Sequence, residues 1–298
     1  MKRILVPTDF SEAAENAARY ALNLAISLKA DIELVNAMKV PAETPMAAQV
    51  AWPLEDYNDV RNQVYFELKA LAAKLKADEI DLTLNHPAAY RPVIKESSEV
   101  GNVSDVVRNM VSAHTAQMVV MGMSGAGSLS RFFIGSNSRE MIDKAGFPVL
   151  LIPPHCGYKR IEKIAFATAL SQDDVDVVHQ LCLFATPLNA EILLVHVTEE
   201  QADNGNNQKK IDGFLNEITC KINYPKIYYR HIKGPDVNAG LDWLTENGRV
   251  DMLAMVHRKA GILKDIFEGS HTQRMARHIS LPLMVFPGAE KHSALPIF

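Results

Sequence analysis

The residues best suited to chemistry in this 298-residue chain are glycines and hydroxyls. Gly122-Met123-Ser124-Gly125-Ala126-Gly127 follows the apolar run Met118-Val119-Val120-Met121, and nine residues separate Gly125 from Gly135-Ser136-Asn137-Ser138. Glycines let backbone amides approach an anion and adopt positive φ, while a helix starting near Ser136 adds N–H groups and the positive end of its dipole. That combination is the chemistry of a phosphate cradle. It is not a Walker loop, because the dipeptide Gly-Lys never occurs, and Gly125-x-Gly127-x-x-Ser130 lacks the third glycine of a dinucleotide fingerprint. Arg139, a cation near the start of that helix, opposes the dipole unless an anion lies nearby. Plainer readings stand beside this one: glycine serves tight turns, and Asp9, Ser11 and Ser136 are all residue types that cap helices.

A cradle of this kind needs a strand that ends at Met121 and a helix that starts at Gly135. Short apolar runs alternating with longer helical patterns supply both, and this alternation is the signature of βαβ units in a parallel sheet. The expected strands are 2–7, 31–38, 92–98, 117–122 and 148–152, and the expected helices 11–28, 57–78, 103–114 and 136–145. The first helix carries Ala13, Ala14, Ala17, Ala18, Ala21 and Ala25, small side chains that let a helix lie close over a sheet.

The chain also repeats itself. Residues 2–11 align with 162–171, and 30–37 with 190–197, both at an offset of 160. Farther on, Phe132-Phe133-Ile134-Gly135-Ser136-Asn137-Ser138 lies over Ile266-Phe267-Glu268-Gly269-Ser270-His271-Thr272 at an offset of 134. The difference, 160 minus 134 or 26 residues, places insertions in the first half, chiefly Pro41 to Asn58 and Asn85 to Pro92. The first of these follows strand two and would sit as a lid over a ligand or pack on its own domain. Two domains result, 1–154 and 155–298, each a doubly wound five-stranded α/β unit.

Composition excludes several classes. With 48% apolar and 22% charged residues the chain reads as an ordinary globular protein. A net charge of −4 and a pI near 6.2 argue against nucleic acid or an anionic membrane as partner. The apolar stretch of the first residues ends at Asp9, too short for a signal-peptide core, so a cytoplasmic location is expected. Cys156, Cys182 and Cys220 are widely spaced and read as reduced, mostly buried thiols. His257, His271 and His278 have no partner at a zinc spacing.

Gly122-x2-Gly125-x9-Gly135-Ser136 resembles the phosphate loop of ATP-binding universal stress proteins, and it follows the fourth strand as it does in that family. Val6-Pro7-Thr8-Asp9 and the Asn36-Ala37 end of strand two extend the resemblance, although the family commonly has a larger apolar residue where Ala37 stands. The resemblance covers both halves and implies ATP, with magnesium, in the first. Its site would comprise Pro7, Asp9, Ala37, Met121, Gly122, Gly125, Gly135, Ser136, Asn137 and Ser138. Asp9 would contact the nucleoside, Ala37 would line the adenine pocket, and Gly122, Gly125, Gly135, Ser136, Asn137 and Ser138 would surround the phosphates. It also implies that the fused halves mimic a two-chain dimer whose last strands, 149–152 and 283–286, pair.

The second half departs from the pattern. Ala169 stands where Asp9 does, Val256 where Gly122 does and Lys259 where Gly125 does, while Asp265 and Gln273 replace Arg131 and Arg139. One nucleotide per chain is therefore expected. The loop offers amides and hydroxyls but no base or metal carboxylate, so binding without fast hydrolysis is the expectation. The resulting reading is a regulatory or stress-response protein that signals to a protein partner and is open to homodimerisation. The rival reading is an interaction module that binds no nucleotide.

Overall fold

A computed structural model of the chain describes residues 2–38, 54–114, 116–123, 135–199, 205–235, 237–258 and 280–288. In the first half, β1 (Arg3–Pro7), α1 (Glu12–Leu28), β2 (Asp31–Met38), α2 (Leu54–Thr83), β3 (Ile94–Val100), α3 (Val103–His114), β4 (Met118–Gly122), α4 (Ser136–Lys144) and β5 (Val149–Ile152) follow one another. The second half gives β6 (Lys163–Ala167), α5 (Gln172–Leu188), β7 (Glu191–Glu199), α6 (Gly205–Lys221), β8 (Ile227–Gly234), α7 (Val237–Asn247), β9 (Met252–His257) and β10 (Leu283–Pro287).

All ten strands form one sheet in the order β3-β2-β1-β4-β5-β10-β9-β6-β7-β8. Within each half the neighbours are parallel, and the halves join where β5 and β10 run antiparallel, with Leu151 opposite Leu283, Leu150 opposite Met284 and Val149 opposite Val285. The strand pairing implied by the resemblance is thus observed. These central strands are buried throughout, which is why they read as unbroken apolar runs. Each half is a doubly wound α/β domain, and together they form a pseudo-dimer in one chain.

The core divides between the two faces. On one face α1, α2, α5 and α6 cover residues such as Ile4, Leu34, Phe166 and Phe286. On the other, α3, α4 and α7 cover Leu5, Val119, Leu151 and Val285. The alternation of Ile4 and Val6 with Leu5 along β1 is the period-two signature of a strand buried on both sides.

The repeat extends to the caps. α1 and α5 both end in a left-handed residue, Lys29 (φ 54°) and Asn189 (φ 57°), each aligned by the same offset of 160. One helix differs from expectation. α2 starts at Leu54 and runs to Thr83, beyond the 57–78 expected; its last turns carry no apolar stripe, Ile80 and Leu82 being exposed, and Thr83 Oγ1 instead donates to the Glu79 carbonyl at 2.9 Å. The lid expected at Pro41 to Asn58 falls mostly on residues 39–53, outside the described residues. The thiols also differ: Cys182 is buried, its pKa pushed up to about 12 by desolvation, but Cys156 is half-buried and Cys220 exposed on α6.

Candidate functional site

The strand order reverses between β1 and β4, with the helix after β1 on one face and the helix after β4 on the other. Chains diverging to opposite faces leave a crevice at the carboxyl ends of those strands, where ligands of this fold class bind. Pro7 ends β1, Gly122 ends β4 and Ser138 of α4 reaches Gly122, while Ala37 stands near the same end of β2.

The turn after β1 is built by Thr8. Its amide donates to Val35 O (2.9 Å) and its hydroxyl accepts from the amide of Phe10 (3.0 Å), a non-glycine residue held at φ 62°. Asn36, buried at the end of β2, donates from Nδ2 to Thr8 O (2.9 Å) and so ties the ends of β1 and β2 together. Ser11 is the N-cap of α1, accepting from Ala14 N at 3.3 Å. Asp9 in turn accepts from both the amide and the hydroxyl of Ser11 through Oδ1 (3.1 and 2.6 Å). The carboxylate stays exposed, and Oδ2 makes no hydrogen bond with the described residues. Capping is therefore done by Ser11, and Asp9 Oδ2 is left as an exposed acceptor just beyond the end of β1. Pro7 is the buried last residue of β1, and Ala37 lies half-buried on the α3 side of β2.

Met121 is buried and Gly122 ends β4. A Cβ at Gly122 would lie 2.4 Å from Ala13 O and 2.6 Å from Ala13 C, so the first turn of α1 lies directly on this glycine. Packing alone thus demands glycine at this position. Gly135 is the N-cap of α4 with no side-chain cap, and its carbonyl accepts from Arg139 N at 3.0 Å. The amides of Ser136, Asn137 and Ser138 consequently find no acceptor among the described residues, as expected for an uncapped helix start. Ser136 is exposed and Asn137 half-buried. Ser138 is buried and directs its hydroxyl at Gly122 O over a long 3.4 Å, which leaves its amide as the group available to an anion. Gly125 and Arg131 lie outside the described residues.

Half two builds the same turn with other groups. Thr168 N donates to Val195 O (2.9 Å), and Thr168 Oγ1 accepts from Leu170 N (2.9 Å) with Leu170 at φ 59°. His196 replaces Asn36, its Nδ1 lying 3.1 Å from Thr168 O. Burial holds its pKa below the ordinary 6.5 against the pull of the Thr168 carbonyl; His231 on β8, whose ring stacks on it at 5.7 Å, and Lys210 on α6 lower it further, while Asp174 on α5 raises it. A depressed histidine pKa means the folded state binds fewer protons than the unfolded chain, so this contribution is present above about pH 6.5 and shrinks as pH falls below it. His196→Asn, which restores half one's donor, should flatten the loss of melting temperature between about pH 7.5 and about pH 5.5. Thermal melts of both proteins across that range check it.

The role of Thr8 and Asn36, and of their half-two counterparts, in building this turn was not assigned from the sequence. The available signal was the repeat itself: threonine at 8 and 168 is identical across the 160 offset, while asparagine at 36 faces histidine at 196. Among the described residues no group of three or more His, Cys, Asp or Glu is placed to hold a metal. No helix among them is long and apolar enough to cross a membrane.

The universal stress protein family profile matches residues 1–153 and again 160–287. A universal stress protein of Methanocaldococcus jannaschii is 22% identical over 157 residues, 51% of this chain and 81% of that protein. Among solved structures, a universal stress protein from Archaeoglobus fulgidus aligns over 97% of both chains with a TM-score of 0.68 at 15% identity. A protein of unknown function from Pseudomonas aeruginosa aligns over 98% of this chain and 95% of its own with a TM-score of 0.57 at 10% identity. With the profile matched twice over the same repeat that builds the ten-stranded sheet, this chain belongs to the universal stress protein family as a tandem two-domain member.

Proposed function

We propose that the chain is a cytoplasmic regulatory protein of the stress-response type that binds one ATP, with magnesium, in domain 1–154, while domain 155–298 carries a degraded copy of the site. The observation that carries this reading is the crevice between β1 and β4. There the exposed Asp9 carboxylate faces outward on one side, and α4 presents the unaccepted amides of Ser136, Asn137 and Ser138 on the other. A carboxylate suits ribose hydroxyls, which are donors, and a helix start suits phosphate oxygens, which are acceptors. A nucleoside phosphate carries both groups at opposite ends. Beside the phosphates α4 offers amides and hydroxyls, and Asp9 is assigned to the ribose, so hydrolysis faster than about one per second is not expected.

Calorimetric titration of nucleotide-stripped protein with magnesium ATP tests this. Binding near one per chain is expected. Asp9→Ala removes a charge-assisted hydrogen bond of about 1.5–3 kcal/mol and should weaken affinity roughly 10- to 100-fold while the melting temperature moves little. No binding to the wild type overturns the reading, and two equivalents overturn the assignment of half two as degraded. The second reading, an interaction module without nucleotide, draws on half two, whose turn is fully satisfied by its own side chains. In that case the wild type binds no ATP, and protein partners of either half become the object of study.

A further inference from the structure

In half two the carboxyl edge of the sheet is closed by an ion pair that has no counterpart in half one. Asp174, in the first turn of α5, is fully buried and aligns with Ala14; Arg258, just after β9, aligns with Ser124. Through Oδ2 Asp174 accepts from Thr168 Oγ1 (2.8 Å), Ala169 N (3.0 Å) and Ser171 N (3.2 Å), and through Oδ1 from Arg258. Arg258 donates from the same nitrogen to Ser171 Oγ at 2.6 Å. An acceptor that Asp9 supplies from the turn in half one is thus supplied from inside the helix in half two, and a guanidinium neutralises it.

A second observation explains the space this side chain uses. Gly122 lets the first turn of α1 lie on the end of β4, and α1 packs closely along that strand. Its counterpart Val256 is buried and carries a full side chain, so α5 cannot make the same approach; among the described residues α5 and β9 come together only sparsely. The gap between the helix start and the strand end is where Arg258 reaches across to Ser171 and Asp174.

We propose that Arg258 is an internal ligand of half two: its guanidinium occupies a built cation pocket formed by Asp174 and Ser171, and holds α5 to β9 in place of the direct helix-on-glycine packing of half one. The correspondence of this pocket with a nucleotide crevice rests on the functional reading above, whereas the pocket itself does not. The Arg258 charge is thereby spent on a buried carboxylate and is not offered to an anion at that edge.

Chemical rescue tests it. Arg258→Ala leaves the Asp174 charge buried and unpaired, and the melting temperature should fall by roughly 5–10 °C. Guanidinium at about 10–20 mM, too dilute to denature, should then raise the melting temperature of this variant by about 2 °C or more while leaving the wild type unchanged, and urea at the same concentration should do nothing. Arg258→Ala/Asp174→Ala should melt well above Arg258→Ala and ignore guanidinium. Should Arg258→Ala fail to fold, Arg258→Lys, which keeps the charge but not the planar fork, should fold with a smaller loss. A variant that melts like the wild type, or a loss that guanidinium does not repair, overturns the proposal. ATP binding in half one should be unchanged by Arg258→Ala; if ATP binds neither protein while rescue succeeds, the nucleotide reading fails and the internal ligand stands.

Discussion

Gly122→Val should destabilise the N-terminal half by about 3 kcal/mol and abolish ATP binding together, because the new side chain has nowhere to go. Even its Cβ would sit 2.4 Å from the carbonyl oxygen of Ala13, well inside contact distance, and that atom belongs to the first turn of a helix whose inner face is buried from Ala14 to Leu28. The helix must lift off the strand or the strand must shift. Either movement displaces Asp9 and Ser11 at the helix start and loosens the carbonyl of Gly122 on which Ser138 rests. Denaturant melts measured alongside calorimetry check both effects. A variant of normal stability with lost binding would mean that the glycine serves the ligand rather than the helix. The same geometry explains why an isolated change at Gly122 is a poor binding probe and why Asp9→Ala is the cleaner one.

Leu150→Asp should be more severe. Leu150 is fully buried at the centre of the antiparallel seam, opposite Met284, and belongs to the core shared by the two halves. An unpaired carboxylate there costs about 4 kcal/mol or more through lost apolar burial and a charge without a partner. Because the seam is the point at which one sheet becomes two domains, the expected result is loss of a single cooperative transition and separate melting of the halves, read by calorimetric scanning. A variant that still melts in one step near the wild-type temperature would show that the helix contacts between α1 and α5 suffice to hold the halves.

The strands, most helices and the tandem organisation were legible in the sequence because each depends on local periodicity or on the repeat. β1, β2, β4 and β5 fall within a residue of where their apolar runs place them, since strands buried on both faces are continuous runs bounded by polar residues. α2 was harder. Its last turns are held by Glu79 and Thr83, and no apolar stripe marks them. The Ser11 cap, the glycine at the end of β4 and the start of α4 after Gly135 were likewise readable, each residue being favoured at such a place for reasons internal to the backbone.

The contacts that distinguish the two halves needed the fold. Either Asp9 or Ser11 could cap the first helix, and only the fold showed that Ser11 is the cap. Gly122 looked like a phosphate glycine, and the packed helix shows that α1 requires a glycine there. Arg258 stands in the sequence between His257 and Lys259 with no local pattern to mark a buried partner, yet it reaches a buried aspartate 84 residues away. Sequence determined which segments become strands and helices, because hydrogen-bonding period and capping act over a few residues; tertiary structure decided which polar group satisfies which, because those partners lie on different strands and no local pattern records their distance.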